Sequence, residues 1–176
     1  TPGPPQGAML TVGNVDFAGQ VVAAGGMIDP PSGPDDYVIS YLPLCHVAER
    51  MMSVFLPIYS GATVNFAESV DTVTQDMREI FPTFYLAVPR IWEKMMAGIV
   101  IKMKDATWAK ATAYRLLMPV GRKMALARLA RGPIPPFLRL WHGLGELLLF
   151  RHLRKELGLL RARLALSGAA PISPEV

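Results

Sequence analysis

Tyr37-Val-Ile-Ser-Tyr-Leu42, followed by Pro43, is an almost unbroken apolar and aromatic run bounded by turn residues. A strand with one wet face alternates apolar and polar residues; a strand covered on both faces does not. The run therefore predicts a buried strand that ends where proline removes a ladder donor. Downstream, the apolar spacing becomes helical from Val47 to about Tyr59, with Gly61 as the stop. Ala62–Phe66 reads as a strand, Val70–Ile80 as a helix and Thr83–Val88 as another strand. Strand and helix in alternation predict a mostly parallel sheet with crossover helices, an α/β fold.

Upstream, Pro30–Asp36 is turn-rich, and Val15, Phe17–Ala18 and Val21–Val22 give a short amphipathic helix. Asn14 is the expected cap of that helix and Gly25–Gly26 its end. Thr1–Gly7 is a Gly/Pro loop. Beyond Val88 the chain turns helical. Trp92, Met95–Met96, Ile99 and Met103 recur at three- and four-residue intervals, with Lys94, Lys102 and Lys104 off that stripe. Gly132-Pro-Ile-Pro-Pro136 interrupts the helices and Phe137–Leu157 resumes them. Arg163-Leu-Ala-Leu166 predicts one more short strand, leading into Ser167-Gly-Ala-Ala-Pro171.

Hydrophobic residues make up 51% of the 176 and charged residues only 18%, a surplus for an isolated soluble module. Two readings account for it: apolar surface that packs on further protein, or a peripheral membrane habit. The apolar run Leu144–Phe150 is far too short to span a bilayer and carries Glu146. Neither a basic start nor an apolar signal core opens the chain, and the single Cys45 excludes an internal disulfide, which fits a reducing cytoplasm. Charge is strongly polarised. Before Val88 the only basic residues are Arg50 and Arg78, against nine acidic ones; from Val88 to Arg163 sixteen basic residues face four acidic ones. Such a half points to solvated helix faces or to an anionic partner, a membrane surface or coenzyme phosphates. The basic residues are not interleaved with aromatics in any reading motif, so nucleic acid is not expected.

Four stretches carry chemistry. Thr1-Pro-Gly-Pro-Pro-Gln-Gly7 is a loop whose backbone N–H groups could wrap phosphate oxygens, or a plain surface turn. Leu42-Pro-Leu-Cys-His46-Val-Ala-Glu49-Arg50 sets a histidine just past a buried strand, where ligands of open α/β sheets bind. Its bland reading is a capping or packing pair of His46 with Glu49. Pro82-Thr-Phe-Tyr-Leu-Ala-Val-Pro89-Arg-Ile-Trp92-Glu-Lys94 is a strand, a proline-initiated helix and an aromatic that could simply be core. Ser167-Gly168-Ala169-Ala170-Pro171 lets a flat ligand approach the backbone, as would any tight turn.

Together, and in this order, the four resemble the long-chain fatty-acid–CoA ligases of the AMP-binding, adenylate-forming superfamily, across essentially the whole chain. The run Val-Pro-Arg-x-Trp-Glu-Lys is what separates that long-chain branch from the rest of the superfamily. The resemblance implies part of the large N-terminal domain of that fold: a phosphate-loop remnant (1–11), a strand and helix region (12–90), a basic helical region (91–161) and an adenine-side segment (162–176). It implies ATP and Mg2+, with coenzyme A as co-substrate and a long-chain fatty acid as the acid activated. His46 takes the catalytic place where acyl tunnel, adenylate and pantetheine meet. Thr1, Gly3, Gln6 and Gly7 fall on the phosphate loop, and Ser167, Gly168, Ala169, Ala170 and Pro171 on the adenine and acyl-carboxylate side. Glu49, Arg50 and Trp92 line or support the acyl tunnel and its gate.

The departures are specific. Gln6 stands in place of the loop lysine, Pro2 replaces a hydroxyl residue, and Val12 sits where these enzymes often have histidine. An amide cannot offset phosphate charge, and a preorganised group of that kind is worth about a hundredfold in rate. The Tyr-Gly-x-Thr-Glu motif that serves ATP and magnesium, the ribose aspartate and the C-terminal lysine are not in these residues, which contain no metal-ligand motif. The chain opens without Met inside a glycine-rich loop and closes on Ser173-Pro-Glu-Val176, so the expectation is an internal piece, catalytically incomplete unless a second polypeptide supplies the remainder. The alternative is a non-catalytic binder of acyl chains, coenzyme A or a membrane surface. A third reading, an unrelated phosphate-loop hydrolase, is made remote by the lack of any Gly-x-x-x-x-Gly-Lys-Ser/Thr.

Overall fold

A computed structural model describes residues 7–23, 31–168 and 170–173. Four short strands, β1 (Tyr37–Ser40), β2 (Thr63–Phe66), β3 (Phe84–Ala87) and β4 (Leu164–Ser167), form one sheet in the order β2-β1-β3-β4, every neighbouring pair parallel. The eight α-helices among the described residues are α1 (Val12–Ala23), α2 (Val47–Arg50), α3 (Leu56–Ser60), α4 (Val73–Ile80), α5 (Pro89–Lys104), α6 (Trp108–Leu129), α7 (Pro136–Gly145) and α8 (Arg151–Glu156). The expected parallel α/β sheet is present, followed by the expected helical half.

Alternation along β1 and β3 builds two cores. Val38 and Phe84 point to one face and pack with Leu56 and Met52, under the helical run from α2 to α3. Ile39, Tyr41, Tyr85 and Ala87 point to the other and pack with Val73 and Met77 of α4 and Met95 of α5. Both faces are thus covered, which is why Tyr37–Leu42 shows no polar alternation. Fully buried Phe84, Tyr85, Leu56 and Met77 each contribute about 1.5–3 kcal/mol by leaving water.

Several boundaries differ from the sequence reading for local reasons. β1 stops at Ser40 rather than Leu42, because the Leu42 N–H donates to Glu49 Oε2 at 3.1 Å instead of to a strand. The helix after His46 does run to Ser60, but Met51–Phe55 is a π-helical turn. Pro57 has no N–H to offer the Ser53 carbonyl, and a widened turn accommodates its ring. α4 begins at Val73, not Val70, because Ser69 and Thr72 bond each other's backbone N–H and form a turn of their own. Asn14 is not the cap of α1. Thr11 is: its Oγ1 accepts the Asn14 N–H at 3.2 Å, while Asn14 Oδ1 accepts the Thr11 N–H at 3.0 Å, a reciprocal capping pair one turn earlier than expected. The expected end of α1 at Gly25–Gly26 lies outside the described residues. Gly61 does stop α3, with φ +76°.

The amino-terminal edge of the sheet is stapled. Thr83 Oγ1 accepts the Tyr37 N–H at 2.9 Å, and the Thr83 carbonyl accepts the Arg163 N–H at 2.8 Å. Arg163 Nη1 lies 2.9 Å from both oxygens of buried Asp36, tying the entrance of β1 to that of β4. Burial pushes the Asp36 carboxyl up, but hydrogen bonds from the Gly33 N–H, Thr83 and Arg163, with the Arg163 charge, outweigh it and hold it below its ordinary value of 3.8. A carboxyl depressed in the folded state stabilises fully above that ordinary value, and its contribution fades as pH falls through the lower folded value. Asp36→Asn should therefore cost about 1–3 kcal/mol at neutral pH. It should also flatten the decline of melting temperature between about pH 5 and pH 2. An unchanged acid slope would show that this pair does not carry the acid sensitivity.

Candidate functional site

In a parallel sheet ordered β2-β1-β3-β4, the chain leaves β1 for β2 on one side and later returns to β3 on the other. The carboxyl ends of β1 and β3 flank that switch point, where open α/β sheets bind ligands. Three of the four singled-out stretches fall on this edge. Leu42–Arg50 follows β1, Val88–Trp92 follows β3, and Ser167–Gly168 ends β4. Adjacent strands lie about 4.8 Å apart, so the ends of β1 and β4 are separated by about 10 Å, with β3 between them.

His46 is the N-cap of α2. Its Nδ1 accepts the Ala48 N–H at 3.2 Å, which assigns the ring proton of the neutral imidazole to Nε2 and leaves that N–H as the donor available to a ligand. The turn holding it is closed by the His46 N–H on the Pro43 carbonyl at 2.8 Å and by Arg50 Nε on the Leu44 carbonyl at 2.8 Å. Glu49 is buried, with one carboxylate oxygen on the Leu42 N–H and the other on Ser53 Oγ. The acid thus clamps the exit of β1 to the helix. Arg50 braces the same turn from the outside.

Trp92 sits on the opposite face of the sheet from α2. Its ring meets Tyr85 edge-on with centroids 5.3 Å apart, and its Nε1–H donates to the Leu166 carbonyl at 3.2 Å. It therefore fastens α5 to β4 immediately before Ser167. Gly168 hydrogen-bonds the Ala87 carbonyl at 3.2 Å, so the small-residue segment begins directly beside the exit of β3. Ala170 and Pro171 are exposed beyond it, and Gly7 is exposed with open space around it. Thr1, Gly3, Gln6 and Ala169 lie outside the described residues. Among the described residues no cluster of three or more His, Cys, Asp or Glu side chains could hold a metal ion.

Two tyrosines escaped the sequence reading. Tyr41 donates its hydroxyl to the Leu86 carbonyl at 2.8 Å, and burial, then the Glu49 charge, pushes its pKa up to about 12. Tyr85 is pushed higher still by burial and by Tyr41, and its buried hydroxyl has no hydrogen-bond partner among the described residues. Both stay neutral at physiological pH. Only the strand order makes them neighbours, so nothing in the linear spacing could pair them. Between α2, β1 and β3 a crevice lined by Leu42, Ala48, Met52, Phe84 and Leu86 encloses about 10 Å³, room for about one water.

The chain is 31% identical to the long-chain-fatty-acid–CoA ligase ACSBG2 of Rattus norvegicus over 100% of its own length and 26% of that protein's. It is 33% identical to ACSBG2 of Gallus gallus, covering 99% of the chain and 23% of the relative. With the putative fatty-acid–CoA ligase fadD11 of Mycobacterium tuberculosis the identity is 36%, over 99% of the chain and 30% of the relative. It thus spans about a quarter of the length of the curated relatives it matches. No solved structure matches it significantly. The family model described as AMP-binding enzyme matches residues 1–176, and the chain belongs to that family.

Proposed function

We propose that this chain forms the acyl- and adenine-facing edge of a fatty-acid–CoA ligase that activates long-chain fatty acids. The observation that carries the reading is the meeting of Leu42–Arg50, Val88–Trp92 and Ser167–Gly168 at the carboxyl ends of three adjacent strands. In the reaction so read, a fatty-acid carboxylate oxygen attacks the α-phosphorus of ATP and pyrophosphate leaves. The thiol of coenzyme A, giving its proton to solvent, then attacks the acyl carbon of the adenylate, and AMP leaves with the electrons of the broken C–O bond.

The residues of this chain position more than they react. His46, fixed by its cap bond, offers Nε2–H where acyl, phosphate and thiol groups would meet. Gly168 leaves the backbone open for a flat ring; a Cβ there would meet only Leu86 Cδ1, at 3.5 Å. The crevice under α2 is closed to an acyl chain as it stands, so entry requires Met52 and the α2–α3 helix to shift. The π-helical turn at Met51–Phe55 is the natural place for that movement. Among the phosphate-loop positions, Gln6 in place of lysine argues for weak charge compensation during pyrophosphate departure.

Binding of a palmitoyl sulfamoyl-adenosine, a non-reactive mimic of the acyl-adenylate, tests this reading. Saturable binding by equilibrium dialysis is expected, weakened about tenfold or more in Gly168→Val, whose branched side chain would stand where the adenine lies. Absence of binding by the folded chain, or affinity unchanged in Gly168→Val, contradicts the assignment of this edge.

A second reading, adherence to an anionic membrane surface, is favoured by the helical half. Trp108, Leu116, Leu129, Phe137, Leu140 and Trp141 are exposed on α6 and α7, the helices that also carry Arg115, Arg122, Lys123 and Arg139. No helix among the described residues is long and apolar enough to cross a membrane. Sedimentation with phosphatidylserine vesicles is expected at low salt, with loss toward 0.5 M salt as screening shortens to about 4 Å. Failure to sediment at low salt removes this reading.

A further inference from the structure

The face of the sheet away from α2 holds a feature that the ligase reading does not use. Helices α4, α5 and α6, with the segment ending in α8, surround a cavity of about 730 Å³. That lies within the range of about 300–1,000 Å³ in which proteins hold small organic ligands. Its walls are apolar, built from Met95, Ile99, Met103, Leu149, Leu153 and Leu157. Its charged lining is mostly cationic: Arg78, Lys94, Lys102 and Lys110, with His152 beside them, stand against Asp105 and Glu156.

Glu156 is already engaged. Its carboxylate lies 2.9 Å from Lys102 Nζ, its carbonyl accepts Arg78 Nε at 2.7 Å, and Lys102 holds the carboxyl below its ordinary value. Lys94 and Lys110 form no ion pair among the described residues. Small residues keep the space open: Gly98, Ala109 and Ala113 line it, and a Cβ at Gly98 would meet nothing within 4 Å. A polar occupant would waste the apolar walls. A neutral hydrocarbon would leave the lysines without a counter-charge. Apolar walls joined to surplus positive charge match a molecule with one long apolar chain and one anionic head.

We propose that this cavity is a binding site for a single-chain anionic amphiphile, its chain against Met95, Ile99 and Leu153 and its head drawn to the lysines. The site lies across the sheet from His46, and it stands whether or not the adenylate reading holds. Palmitate, below its aggregation concentration, is the probe. Equilibrium dialysis with the radiolabelled acid should show one saturable site that Gly98→Trp occupies sterically and weakens tenfold or more. The variant removes a helix-interior glycine and is expected to keep its circular dichroism. The pair Lys94→Glu and Lys110→Glu should weaken palmitate about tenfold and leave hexadecanol unchanged. Shortening the chain by one methylene should weaken binding about fourfold.

Saturable binding that Gly98→Trp leaves intact would place the acid elsewhere and overturn the proposal, as would no saturable binding at all. Hexadecanol binding as tightly as palmitate would overturn the anionic head. Gly168→Val separates this site from the strand-edge site: it should leave palmitate binding here unchanged while weakening the adenylate mimic.

Discussion

A parallel strand can be reached only by a crossover, because the chain leaves each strand at one edge of the sheet and must enter the next at the other. With the four strands among the described residues all parallel, their exits lie on one edge and their entrances on the opposite edge. Segments 37–50, 82–92 and 163–168 are far apart in sequence but enter the fold the same way up. Their loops therefore meet whatever the length of the intervening helices. The 76-residue, mostly helical excursion between β3 and β4 changes nothing at the edge.

The two edges are treated differently by the side chains. At the entrances, Thr83 and the Asp36–Arg163 pair join β1, β3 and β4 through direct hydrogen bonds. Across the exits of β1 and β3 the Tyr41 hydroxyl donates to the Leu86 carbonyl. At the exits, Glu49 bonds Leu42 and His46 bonds Ala48 within the β1–α2 turn, while Trp92 ties α5 to Leu166 of β4. These bonds give Glu49 and Trp92 the work of positioning rather than of reaction.

Much of this was legible in the linear sequence. The unbroken apolar run of Tyr37–Leu42 announced a strand buried on both faces, and Pro89 and Gly61 marked a helix start and a helix stop that the structure keeps. What failed were boundaries decided by side chains reaching the backbone. Asn14 looked like a cap until Thr11 took that place, and Ser69 with Thr72 made a turn from what read as helix. Contacts set by strand order were beyond reach. Asp36 and Arg163 are 127 residues apart, and Tyr41 meets Tyr85 only because β1 and β3 are neighbours. The cavity between α4, α5, α6 and α8 was equally hidden: the apolar stripe of α5 was visible, but not that Gly98 would leave a space behind it.

The central claim is that the strand exits are the ligand edge. Hydrogen–deuterium exchange of the chain with and without the palmitoyl adenylate mimic measures this most directly. The account predicts slowed exchange in peptides covering 42–50, 87–92 and 166–168, with no change at the entrances around 33–37, 82–84 and 161–164. Protection confined to the entrances, or spread over α6 and α7 without the exits, would contradict it.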